Sequence, residues 1–346
     1  MNYYALVHEG EEEICVKELQ ELVGASAKKS SHVISFSLPN TQLFATLLNH
    51  AQSVRRLIIA LGSFTNIDEM NLKLSSSLNS ILPQTFSFKV VVENVKGQEN
   101  REELAKKVTS WFFLQAEKEN LKPTLNLRTP NHSLILYHNG TTYFLGVDLY
   151  NEELNARSYR LFPHSASFKG DAAYYIVRKS KFEAGKKLLV SFFKDGTMLI
   201  EAAFFANKIP FRPELKQTGS ITPSQEKTIV FGFDEAKPNV FATRKHLRLA
   251  KAEKYVQIEQ QQLDELSSFY ETHSFDNLIF HITKKDEDKI NDIYNQAALL
   301  LKKGGTLLLV SRSGFEVFYP STFSLQSKEE LKRGESVLIL TLLSLA

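Results

Sequence analysis

Residues 186–206, KKLLVSFFKDGTMLIEAAFFA, fall into three parts. Lys187–Phe192 is a short apolar run of the kind a buried strand shows. Phe193–Gly196 is a tight break with one glycine, and Thr197–Ala206 sets Leu199, Ala202, Ala203 and Ala206 at helical spacing with Glu201 among them. Strand, glycine turn and helix in this order can open a nucleotide-binding crevice at the carboxyl end of a strand in an open α/β sheet. The free N–H groups of the helix start can hold a polar or anionic ligand. One loop glycine suits an ordinary strand–helix unit equally well, so this stretch alone leaves both readings open.

Strand and helix keep alternating on the C-terminal side. Strands are expected at Thr228–Phe233, ending in Asp234, and at Tyr255–Glu259, Asp276–Ile282 and Thr306–Ser311. Helices are expected at Asn239–Ala250, Leu263–Tyr270 and Asp286–Lys303, with a loop-rich insertion over Lys208–Ser224. Phe323–Glu330 and Glu335–Leu343 flank Lys332-Arg333-Gly334 as a closing hairpin. The sum is a seven-stranded, mainly parallel sheet with helices on both faces. On the N-terminal side, Gly170–Lys181 reads as a helix that begins this domain, 170–346. Asn151–Lys169 is polar and broken by Pro163, which makes 151–169 a linker. Two smaller α/β units precede it, 1–48 and 49–150. The second is given a helix at Met70–Ile81, another at Asn100–Glu117, and a hairpin turn at Asn139-Gly140.

A chain of 346 residues can hold two or three domains. With 43% hydrophobic and 23% charged residues it has the profile of a soluble globular protein. No apolar run reaches the roughly 20 residues of a membrane span, and MNYYALVHEGEEE has no basic-then-apolar secretory pattern. The single cysteine, Cys15, leaves no internal disulfide and no cysteine zinc cluster. The expectation is a cytoplasmic protein. A net charge of +3 neither announces nor forbids a nucleic-acid partner, for which a local basic face matters more.

Two chemical candidates lie where the crevice of such a sheet is expected. Asp234, at the end of the second strand of the C-terminal domain, could accept both hydroxyls of a ribose, or could cap the next helix. His281, at the end of the fourth, could act as a general base or, as a lone histidine at a strand end more often does, serve structure; no orienting partner stands at a fixed spacing from it. The histidines show no metal-ligand spacing, and no metal is expected.

The order of parts resembles the THUMP-containing RNA methyltransferases over nearly the whole length, especially the archaeal proteins that methylate a tRNA guanine at its exocyclic amine. YYALVHEGEEEICVKELQELVGA is similar to that family's ferredoxin-like N-terminal domain, and the region ending in YHNGTTYFLGVDLY to its THUMP domain. NARSYRLFPHSASFKGDAAYYIVR resembles the family's RxYR segment and the helix that follows it. SFFKDGTMLIEAAFFA is similar to the S-adenosylmethionine loop DPFCGSGTxxIEAA, and FGFDEAKPNVFATRKHLRLAKAEK to the motif whose acid holds the cofactor ribose. The resemblance thus implies a Rossmann-like methyltransferase domain, S-adenosylmethionine as cofactor and tRNA as partner. It implies cofactor contacts at Ser191, Gly196, Thr197, Glu201 and Asp234. RNA contacts are expected at Arg128, Arg157, Arg160 and Lys169.

Two motifs depart from the family. Ser191 and Phe192 stand where it has Asp-Pro, and Phe193-Lys194-Asp195-Gly196 replace its glycine-rich loop. Phe280-His281-Ile282-Thr283 occupy the position of the catalytic DPPY or NPPY motif, whose prolines fix the geometry of amine transfer. The expectation is therefore a tRNA-binding THUMP protein whose methyltransferase site has degenerated, acting without catalysis or beside a protein partner in tRNA modification. The alternative is an active enzyme with a divergent catalytic loop.

Overall fold

The computed structural model describes the chain except residues 71, 73, 75–77, 79, 80, 213–220, 222–226 and 335. Most of the helix expected over Met70–Ile81, and much of the Lys208–Ser224 insertion, lie outside the described residues. Among the described residues, Met1–Leu154 form one compact unit and those from Asn155 onward a second.

In the first unit the elements run β1 (Asn2–Leu6), α1 (Glu12–Val23), β2 (Ala27–Ser30), β3 (Val33–Ser37), α2 (Thr41–His50), β4 (Arg56–Phe64), β5 (Thr85–Glu93), α3 (Gln98–Lys118), β6 (Lys122–Leu125), β7 (His132–His138) and β8 (Tyr143–Asp148). The eight strands make one sheet in the order β2-β3-β1-β4-β8-β7-β5-β6. The boundary expected between residues 48 and 49 is not a break in this sheet, because β1 pairs directly with β4 through Tyr3↔Ile59 to Leu6↔Arg56. Alternation along the strands puts Tyr4, Leu6, Ile58, Ile135 and Phe144 into one buried cluster on a single face.

The second unit continues with α4 (Gly170–Lys179), β9 (Leu188–Ser191), α5 (Thr197–Asn207), β10 (Val230–Asp234), α6 (Lys237–Leu249), β11 (Val256–Gln260), α7 (Leu266–Phe269), β12 (Phe275–His281), α8 (Ile290–Leu300), β13 (Leu301–Arg312), β14 (Phe323–Arg333) and β15 (Ser336–Leu345). Its sheet has the order β11-β10-β9-β12-β13-β15-β14. Neighbours among β9 to β13 are parallel, and β15 pairs antiparallel with β13 and β14. The segment expected as a linker joins the second unit from Asn155 on.

β9 lies between β10 and β12, so both its faces are covered and all four of its residues are buried. That is why its sequence is continuously apolar rather than alternating. The helix α5 is buried around most of its circumference, which explains why its apolar residues extend beyond one face, to Met198, Ile200 and Phe204. Gly232 allows α5 to lie on β10, since a Cβ there would meet Leu199 at 2.8 Å. Strand order reverses at β9, and the pairings Ser191↔Phe233 and Ser191↔Phe280 bring the carboxyl ends of β9, β10 and β12 level. The place where an open sheet of this kind can take a ligand is therefore bounded by Phe192, Asp234 and His281.

Candidate functional site

The loop from Phe192 to Gly196 is wound tightly. Phe192, Lys194 and Gly196 have φ of 50°, 57° and 79°, so two of its three left-handed positions are held by residues with side chains. Gly196 is needed for packing: a Cβ there would meet Thr243 Cγ2 of α6 at 2.3 Å.

Asp234 ends β10 with its carboxylate turned inward. Oδ2 accepts from the backbone N–H of Lys194 at 3.0 Å. Oδ1 accepts from Ala236 N and from Asn239 Nδ2, both at 2.9 Å. It therefore holds the loop and caps the turn into α6 at once. Two donors fill Oδ1, and one acceptor position remains on Oδ2, whereas gripping both hydroxyls of a ribose takes two.

The Lys194 side chain lies across the end of β9. Its Nζ is 5.4 Å from the centroid of Phe192 and 3.7 Å from Asp286 Oδ2, in the loop that follows β12. His281 is buried, with its ring 4.6 Å from that of Phe168 and no hydrogen-bond partner for Nδ1 among the described residues. Burial, reinforced by the charge of Lys194, pushes its pKa down to about 3. At neutral pH the ring is uncharged, and as a base it is far weaker than one suited to general-base work near neutrality. The buried Ser191 Oγ also lacks a partner among the described residues.

Asp195, which the sequence marks only as a departure from the glycine-rich loop, ties this region together. It is buried and joins the loop to residues 160–167. Its Oδ2 accepts from Arg160 Nε at 3.0 Å, from Ser167 Oγ at 2.5 Å and from His164 N at 3.3 Å. Its Oδ1 accepts from Thr197 Oγ1 at 2.8 Å and Thr197 N at 3.2 Å, at the start of α5. The signal available in the sequence was an aspartate two residues before a helix start, with its partners some 30 residues upstream out of reach of any spacing rule. His246 of α6 adds a second tie: its Nδ1 lies 2.8 Å from Asp195 O, and the Phe162 N–H donates to its Nε2 at 2.8 Å.

Two expected contacts belong to each other. Arg157, expected on an RNA surface, and Glu201, expected at a cofactor, have fully buried side chains and form a bidentate pair, Nε–Oε1 at 2.8 Å and Nη2–Oε2 at 2.9 Å. Tyr159 OH donates to Glu201 Oε1 at 2.7 Å. Arg157 is thus withdrawn from solvent and cannot meet a phosphate in this conformation. Arg160 is mostly buried on Asp195. Lys169, just before α4, is exposed, and Arg128 is exposed in the first unit. The structure brings Ser191, Gly196, Thr197, Asp234 and His281 to the ends of three adjacent strands. Among the described residues no group of three or more His, Cys, Asp or Glu could hold a metal ion. No described helix is long and apolar enough to cross a membrane.

S-adenosylmethionine is the cofactor the fold implies, and the residues present fit it poorly. Asp234 is engaged by the protein itself, the loop carries Phe192 and Lys194 where backbone would approach the ligand, and Lys194 crosses to Asp286. Besides the remaining acceptor position on Asp234 Oδ2, the Ser191 Oγ and His281 Nδ1 at the strand ends are buried without a hydrogen-bond partner among the described residues.

Comparison with known proteins agrees with the fold. Residues 157–301 match the model of the UPF0020 family, RMKL-like, methyltransferase domain. The chain is 28% identical over 222 residues to the ribosomal RNA large subunit methyltransferase K/L of Vibrio campbellii, covering 63% of this chain and 31% of that protein. It is 29% identical over 212 residues to the protein of the same name from Aliivibrio fischeri, covering 59% and 30%. The chain thus spans under a third of the length of these relatives. Among solved structures it superposes on TrmN from Thermus thermophilus with a TM-score of 0.74 and 16% identity, over 100% of this chain and 99% of that one. SMU.472, a putative methyltransferase complexed with SAH, gives 0.73 and 18% over 99% and 97%. The structural likeness speaks to the fold alone, and the family model to residues 157–301.

Proposed function

We propose that the protein binds tRNA through a ferredoxin-like and THUMP-type N-terminal region, and that its Rossmann-like domain no longer transfers methyl groups. It would serve tRNA modification in the cytoplasm as a noncatalytic or accessory component, beside a protein partner. One observation carries the reading: the ribose-binding acid of the resemblance, Asp234, holds Lys194, and Lys194 in turn reaches Asp286 across the crevice. A second reading, an active S-adenosylmethionine-dependent tRNA (guanine-N2) methyltransferase with a divergent catalytic loop, draws on the unpartnered Ser191 Oγ and His281 Nδ1.

Calorimetric titration of S-adenosylmethionine into the protein, with and without tRNA, separates the two. The proposal expects no heat of binding in either case. Micromolar binding together with methyl transfer to tRNA, lost in Asp234→Ala, would sink it in favour of the enzyme.

A further inference from the structure

The surface of α6 has a composition that the crevice does not explain. Residues 237–252, KPNVFATRKHLRLAKA, carry five cations, Lys237, Arg244, Lys245, Arg248 and Lys251, and no acid. All five are exposed, and of these only Arg248 is in a recorded ion pair among the described residues, with Glu253 at 3.5 Å. Two phenylalanines stand among them: Phe241 of α6 is 61% exposed and Phe162, from the preceding segment, 48%. The Lys245 ammonium lies between them, 4.5 Å from the Phe241 centroid and 4.7 Å from that of Phe162.

The arrangement is held rather than loose. The Phe162 backbone N–H donates to His246, its ring stacks on the His246 ring at 5.9 Å and 18°, and His246 is fixed in turn on Asp195. An apolar protein partner covering both rings would have to bury the ammonium between them without a counter-charge. A polyanion with flat apolar faces would meet no such cost. Its phosphates would take the place of missing acids, and its bases could stack on the rings.

We propose that the α6 face is a platform for unpaired RNA nucleotides, with Phe241 and Phe162 stacking bases and Lys245, Arg244 and Arg248 contacting phosphates. This rests on the reading of the protein as an RNA binder and locates a contact surface apart from the expected Arg128, Arg157, Arg160 and Lys169. Double-stranded RNA, whose bases are already stacked, would gain only the phosphate contacts.

The test is fluorescence anisotropy with a labelled oligoadenylate about 12 nucleotides long, a duplex of equal length and unlabelled tRNA as competitor. Phe241→Ala is expected to weaken single-strand binding about tenfold or more and duplex binding little, and Phe241→Trp to restore it. Lys245→Gln should lower the slope of log affinity against log salt by about 0.7. Because Phe241 is largely exposed, the variants should keep the wild-type circular dichroism and melting. If the wild type binds RNA and Phe241→Ala binds equally well, the platform is overturned while the RNA-binding reading stands. If polyglutamate competes as well as the oligonucleotide and Phe241→Ala changes neither, the face is a site for an acidic protein and the proposal fails. If the wild type binds none of the three nucleic acids, both readings fall.

Discussion

Each unit of this protein contains an arginine–carboxylate cluster, and the two differ in their access to water. In the first unit Arg55 and Arg56, at the start of β4, share Glu93, Asp148 and Glu153. Both arginines keep about a tenth of their side-chain surface exposed (12% and 13%), and Glu153 keeps 30%. Every member but Asp148 is partly solvated, and each arginine has two or more carboxylates. In the second unit Arg157 and Glu201 expose nothing of their side chains and pair with one another, Tyr159 donates to Glu201, and the Asp171 charge also acts on Arg157. The guanidinium also lies 4.1 Å over Phe211, and Gly170 makes room for it, since a Cβ there would be 2.4 Å from its Nε. One cluster is hydrated; the other is a fully buried tie between the segment before α4 and the middle of α5.

The largest effect should follow from breaking that tie. Arg157→Ala strips the bidentate guanidinium from the buried Glu201 carboxylate and should cost about 3–5 kcal/mol in urea unfolding. Glu201→Leu combined with Arg157→Met removes both charges and should recover much of the loss. Hydrogen exchange read by mass spectrometry should place the loosening in peptides covering 155–170 and 197–207. A loss under 1 kcal/mol for Arg157→Ala would mean that the pair is not the tie its burial indicates.

The same pair marks the limit of what the sequence disclosed. The run Lys187–Phe192 is apolar because β9 is covered on both faces, a cause that leaves its trace in consecutive residues. The glycine break and the helical spacing after it were legible for the same reason. Arg157 and Glu201 are 44 positions apart, and no local pattern joins them. An arginine in a polar stretch reads as surface, and a glutamate beside a glycine loop reads as ligand-binding, until the fold brings them together. Asp195 was hidden similarly, behind partners at Arg160 and Ser167. The sheet shared by residues 1–148 was hidden too, since the β1–β4 pairing crosses the helix α2.

Acid should separate the units next. Burial lowers His281 to about 3 and His50, in the first unit, to about 4. Each ring is held neutral in the fold and gains a proton more readily unfolded, near pH 6.5. The stability this represents is complete above pH 6.5 and is lost as the pH falls toward those lower values. The effect is of order a few kcal/mol and larger for His281. His281→Phe should flatten the fall in urea midpoint between pH 6.5 and 4.5, and His50→Phe should flatten it less. Lys194, Asp286 and His164 act on His281, so Lys194→Met should make its protonation in the fold easier, narrow the gap to the unfolded value and make the fall smaller. Equal slopes for wild type and His281→Phe would remove His281 as the cause.

A smaller effect tests what Gly196 is for. With φ at 79° and Thr243 Cγ2 2.3 Å from the position of a Cβ, Gly196→Ala should lose about 1–3 kcal/mol. Thr243→Ala should return the steric part and leave the conformational part. Were the glycine instead a clearance for a ligand, Gly196→Ala would melt with the wild type and only ligand binding would change.

The smallest effect belongs to the hydrated cluster and decides whether the opening contrast holds. Glu153→Gln takes one carboxylate from Arg55, which keeps Glu93, and weakens a 3.7 Å approach to Arg56, which keeps Glu93 and Asp148. No charge is left buried without a partner, and water reaches the site through the exposed part of Glu153. The expected loss is therefore under about 1 kcal/mol and shrinks as salt is raised. Arg157→Ala, whose cost comes from desolvation out of reach of ions, should change little over the same salt range. If Glu153→Gln proved as costly as Arg157→Ala and equally indifferent to salt, hydration would not be what distinguishes the two clusters. The connectivity of each to its sheet would then have to carry the explanation.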